Sequence, residues 1–250
     1  MSKLRDRIRE TGRRRRGGFG FTPATQAVGP AHVLVLAEVT DADDARAAVE
    51  AGAGALLFSG DPSALGSIVE AAGKTPVGIR LDAATRDAAS DAADARADFL
   101  LFDDGQTAAE ALLDRRLGRV LLLEAAPDED RLRSLAPLDL DAILVTAPQG
   151  VPTVRDQLGL RRIVELTQST LAIPVDGTIT AGTLEVRRDA GAPVAFVPAA
   201  HRGALGEIVG AAAEVRPPQE RREERQDPFL PAMAASPHEE EHDHDDDFRP

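Results

Sequence analysis

The chain has no cysteine, no tryptophan and no tyrosine among its 250 residues. Without thiols there is no disulfide framework, no thiolate metal site and no cysteine nucleophile. Phenylalanine, at eight copies, is the only aromatic, so aromatic stacking platforms are not expected and Ala, Val, Leu and Ile must fill the core. Lysine is nearly missing too: Lys3 lies in a basic start and Lys74 precedes an apolar run, which argues against Schiff-base chemistry. No run of 18 apolar residues occurs, and the start MSKLRDRIRE lacks the apolar stretch and cleavage site of a secretory signal. No transmembrane segment is therefore expected, and the chain reads as cytoplasmic. G-x-S-x-G, H-E-x-x-H and Walker-type loops are also missing, which removes several hydrolase and nucleotidase readings.

What is present is acid. The formal charge is −13, and because residues 1–21 carry eight Lys or Arg against two acids while 236–250 carry seven acids against one Arg, the tails cancel. The whole excess belongs to residues 22–235, whose field repels phosphate backbones. Residues 1–21 read as a flexible basic arm: Arg13 to Arg16 suit an anionic surface or an acidic protein face, and Phe19 and Phe21 offer apolar plugs for the bottom of a barrel. Residues 217–250 read as a disordered linker and acidic tail, with His238, His242 and His244 able to take up a metal loosely.

Over residues 22–216, eight short apolar runs alternate with Ala-rich helical stretches. The runs are HVLVLAE (32–38), ALLFSG (55–60), PVGIRLD (76–82), DFLLFDD (98–104), RVLLLEA (119–125), DAILVTA (141–147), IPVDGT (173–178) and PVAFVPA (193–199). Near-continuous apolar character marks parallel strands covered by helices. The fifth helical stretch, PDEDRLRSLAPLD, is cut short by Pro137. An internal echo, AGAGALLFSGDPSALGSIVEAA (51–72) against AGAPVAFVPAAHRGALGEIVGAA (190–212), supports tandem βα units. No G-x-G-x-x-G follows the first run, where AEVTDADD stands, which disfavours an open doubly wound sheet. The expected fold is an α/β eight-unit (β/α) barrel of the TIM type.

In such a barrel the active face lies where strands end. Glu38, Asp82, Asp103, Glu124 and Asp176 close their runs directly and are the candidates for proton transfer. Asp82, Asp103 and Asp176 are also candidate ligands for Mg²⁺ or Mn²⁺. Asp41, Asp61 and Asp104 precede helical stretches and read as caps. Arg80 either neutralises Asp82 or Asp103 or grips a substrate anion. His201 stands at the start of the last helix, as an acid–base group or an ordinary helix residue.

VDGTIT followed by AGTLEVRRDAGAPVAFVPAAHRG resembles the last quarter of the phosphate-binding TIM barrels, the group that includes ribulose-phosphate-binding barrels. The resemblance implies a phosphate cradled by turns after the seventh and eighth strands, with Gly177 and Thr178 in the first and Arg202 and Gly203 in the second. Val197-Pro198-Ala199-Ala200 stands where glycine is expected, so half of the motif is present. Two functions follow: a lyase or isomerase acting on a small anionic metabolite, phosphorylated where the resemblance holds; or a non-catalytic barrel serving as scaffold or binding module through its charged tails.

Overall fold

Each apolar run is covered on both faces, and that is why it becomes a parallel strand rather than an alternating one. The computed structural model describes residues 2–12, 31–81, 83–123, 127–146 and 150–218. The strands are β1 (Leu34–Val39), β2 (Ala55–Phe58), β3 (Val77–Arg80), β4 (Phe99–Asp103), β5 (Gly118–Leu123), β6 (Ala142–Val145), β7 (Leu171–Pro174) and β8 (Val194–Val197). They close in sequence order into one parallel ring, with Leu34 to Ala37 paired to Val194 to Val197. The helices are α1 (Lys3–Gly12), α2 (Ala42–Glu50), α3 (Leu65–Ala72), α4 (Arg86–Asp94), α5 (Glu129–Leu135), α6 (Val154–Thr167), α7 (Ala181–Asp189) and α8 (Leu205–Ala213).

The eight-unit barrel is thus as expected, with local differences. β7 begins two residues before its expected run, at Leu171, because Leu171 and Ala172 are themselves buried apolar residues. The fourth unit has a 3-10 turn, Ala109–Leu113, in place of an α-helix. Its N-cap, Ala108, offers no side-chain acceptor, and Asp114 closes a turn onto the backbone N–H of Arg116 straight afterwards. α5 has seven residues, and Pro137 lies in the 3-10 turn that follows it.

Side chains alternate along each strand, and two apolar clusters result. Val35, Ala37 and Val39 pack outward beneath the helices, whereas Leu34, Leu36, Leu57, Leu101, Leu144 and Phe196 fill the ring. Gly78 and Phe99 are register partners. A Cβ on Gly78 would lie 2.1 Å from the Phe99 side chain, so the phenyl ring fills the space that the glycine leaves.

The echo between 51–72 and 190–212 is structural as well. Gly52 and Gly191 turn with φ of +96° and +97°, a conformation that glycine adopts without strain. A 3-10 turn leads into both α3 and α8, which bury Leu65, Ile68 and Ala72 in one and Leu205, Ile208 and Ala212 in the other.

The basic arm needs a correction. Its residues Lys3–Gly12 form α1, whose Leu4 and Ile8 join the cluster inside the ring; Leu4 is 1% exposed. Asp98, just before β4, accepts the backbone N–H groups of Lys3 and Leu4, both at 2.8 Å. Arg5 pairs with Asp139 and Asp141, and Ser2 bonds to Asp141. The amino end of the barrel is therefore plugged by Leu4 and Ile8. Phe19 and Phe21, the plugs expected from the sequence, lie outside the described residues, as do Arg13 to Arg16 and all of 219–250. Among the described residues no helix is long and apolar enough to cross a membrane.

Candidate functional site

Alternation decides which polar residues reach the carboxyl end of the ring. Leu34 and Leu36 face inward, so Glu38 does too. The same parity puts Ser59, Arg80, Asp103, Thr146 and Asp176 at the inner rim. Asp82 and Glu124 lie outside the described residues.

Glu38 is half-buried, and both its oxygens are engaged by the two neighbouring units of the ring. Oε1 accepts the Ser59 hydroxyl at 2.7 Å and Oε2 accepts the backbone N–H of Ala199 at 3.0 Å. A single carboxylate thereby ties β1 to the ends of β2 and β8. Ala199 opens the 3-10 turn Ala199–Ala204, so the N–H that a phosphate would seek there is already bonded to the protein's own carboxylate.

Asp103 and Asp176 close their own turns instead. Asp103 Oδ1 accepts the N–H groups of Gly105 and Gln106 at 2.7 and 3.2 Å. Asp176 Oδ1 accepts the hydroxyl and the N–H of Thr178 at 2.6 and 2.9 Å, and these bonds hold its carboxyl below the usual carboxylate range. Among the described residues no group of three His, Asp or Glu converges as a metal site would require. Asp82, the third candidate ligand, is not among them.

The phosphate-turn residues have other occupations. A Cβ on Gly177 would lie 2.7 Å from that of Ala204, so the glycine permits the turns after β7 and β8 to pack closely. Arg202 forms an ion pair with Asp44, which also accepts the Thr40 hydroxyl at 2.7 Å. Gly203 has open space beside it, and His201 is exposed in the same 3-10 turn. Asp41 and Asp61 are caps as expected, accepting from Asp44 N–H and Ser63 N–H. Asp104 is not: it pairs with Arg131 of α5 at 2.7 Å.

Among the described residues, two small cavities open at this end. Arg80, Leu101, Asp103, Gln106 and Leu122 line one of about 180 Å³. The other, of about 90 Å³, lies between the turns leading into α6 and α7 and is bounded by Val151, Asp176, Thr178, Thr183 and Arg187. Sequence reasoning missed Arg187. It is buried on α7, three residues after the buried Leu184, while Val186 beside it is exposed. That i, i+3 spacing places a guanidinium on the core side of the helix and was the available signal.

No family model matches the sequence, and no curated protein matches it. Among solved structures 806 chains match. One is a tryptophan synthase from M. tuberculosis, in an open form with BRD0059 bound. It is similar with a TM-score of 0.59 and 13% identity, covering 84% of this chain and 97% of its own. At that identity the likeness shows the barrel fold alone.

Proposed function

We propose that this barrel is an enzyme of lyase or isomerase type, acting on a small anionic metabolite at the carboxyl end of its strands, with Glu38 as the proton-transferring group. The observation that carries this reading is the anchoring of Glu38. Of the three described candidate carboxylates it alone is held by other units of the ring rather than by its own turn. Each oxygen accepts one bond and keeps a lone pair for a substrate proton. Held from two sides, the carboxylate is pre-positioned, which is what general base catalysis next to a carbonyl requires. Arg80, which lines a small cavity with Asp103 at the rim, is the group we assign to offset the charge of an enolate.

The test is a thermal-shift screen of small phosphorylated and carboxylated metabolites, with and without Mg²⁺ or Mn²⁺, followed by turnover of whatever binds. A ligand that binds only the folded chain raises Tm. Glu38→Gln should keep that shift and lower turnover by roughly 10²–10⁴-fold. Full activity in Glu38→Gln would sink the reading. A shift that needs the cation would bring Asp82 into the site.

The alternative is a non-catalytic barrel that binds through its charged tails. Its support is that Gly177 and Arg202 serve packing and an ion pair. A screen without a single hit, together with partner capture that is lost on replacing Arg13 to Arg16 by serine and removing 219–250, with α1 left in place, would favour it.

A further inference from the structure

Burying a guanidinium is costly unless its N–H groups find acceptors. α7 carries two buried arginines that differ in this respect. Arg188 donates from Nε and Nη2 to Asp189 and from Nη1 to the carbonyl of Arg216. Arg187, 5% exposed, makes one hydrogen bond among the described residues, from Nη1 to the Pro174 carbonyl at 3.2 Å, and the Asp176 carboxylate acts on it electrostatically without a hydrogen bond between them. Arg187 lines the cavity of about 90 Å³. Burial pushes its pKa down, against the opposing pull of the Asp176 carboxylate.

The start of α7, one turn before Arg187, lines the same cavity. Thr180 caps the helix by accepting the N–H of Thr183, and its hydroxyl donates to Thr183 Oγ1 at 3.1 Å. The Thr183 hydroxyl hydrogen is thereby left to point elsewhere. The cavity holds about three waters at ~30 Å³ each, or one phosphate-sized group.

We propose that this cavity is a small-oxyanion site, in which Arg187 and the Thr183 hydroxyl hold a phosphoryl or carboxylate group at the N-terminal end of α7. Arg187 supplies the forked donors that planar or tetrahedral oxyanions match. The helix end adds a positive dipole. Asp176 shares the cavity with one oxygen engaged by Thr178, so the site selects an oxyanion that presents a hydroxyl or a proton toward that carboxylate. It lies between the sixth and seventh units, not in the turn after β8, where Glu38 already takes the Ala199 N–H. The inference deepens the proposed function by naming where the anionic part of the metabolite is gripped, and it rests on that reading only for the identity of the metabolite.

The experiment titrates the full chain with inorganic phosphate and, separately, with glycolate, whose hydroxyl can face Asp176, against sodium chloride of equal ionic strength, following Tm and, for phosphate, ³¹P line broadening. One oxyanion should raise Tm beyond the chloride control: phosphate if the group is phosphoryl, glycolate if it is carboxylate. Arg187→Gln should weaken that binding by about tenfold or more and Thr183→Val by a few-fold. Glu38→Gln should leave it intact, so that loss of catalysis and loss of anion binding are read apart. No shift with either anion overturns the proposal. So does undiminished binding in Arg187→Gln, which would move the ion to the arginine run at 13–16. Should Arg187→Gln not fold, unchanged affinity in Thr183→Val overturns it equally.

Discussion

Asp176 illustrates a carboxylate committed before any ligand arrives. Its oxygen is bonded twice to Thr178, and those bonds pull its pKa down from the ordinary value. A carboxyl whose folded pKa lies below its unfolded pKa of about 3.9 stabilises the fold above that value, and the contribution disappears as pH falls through the folded pKa. Thr178→Val removes the hydroxyl bond and leaves the N–H bond. The Asp176 titration, followed by carboxyl NMR, should then move up toward the ordinary range, and acid unfolding should begin at higher pH. An unchanged titration would mean that the N–H alone holds the carboxylate. The sequence carried this signal in part: Asp103-Asp104-Gly105 and Asp176-Gly177-Thr178 are turn-forming strings. Nothing in one dimension, however, tells that Glu38 meets Ala199, 161 positions away.

At the level of elements, strands were the most legible because covered parallel strands are written as unbroken apolar runs. The helix expected in the fourth unit was not, since Asp114 turns the chain onto the backbone N–H of Arg116 directly after Leu113 and leaves room only for a 3-10 turn. α1 was hidden by its arginines, although Leu4, Ile8 and Thr11 keep the spacing of a buried helical face. Its energetic role follows from where those residues go. Truncating Leu4 to alanine leaves a cavity inside the ring and should cost about 2–5 kcal/mol. Arg7→Ala, on the exposed side, should stay within about 0.5 kcal/mol. Urea unfolding of both variants checks the contrast. Equal stabilities would mean that α1 is not seated in the ring in solution.

For the whole molecule, the deciding quantity is the separation between charges. The chain carries −13, and acids spread around the barrel repel one another over long distances. Its ion pairs work at contact: Arg131 with Asp104 at 2.7 Å, Arg133 with Glu129 at 2.7 Å, Arg216 with Glu185 at 3.0 Å. Salt screens interactions longer than the Debye length, which shrinks from about 30 Å at 0.01 M to about 8 Å at 0.15 M. The contact pairs lie inside both lengths and lose little, and exposed pairs contribute at most about 1 kcal/mol each to begin with. The repulsion lies between the two lengths and loses most. Raising sodium chloride from 0.01 to 0.15 M should therefore raise Tm. A fall in Tm over that range would show that attraction within the contact pairs outweighs the net acidic field, and the surface would then have to be understood pair by pair.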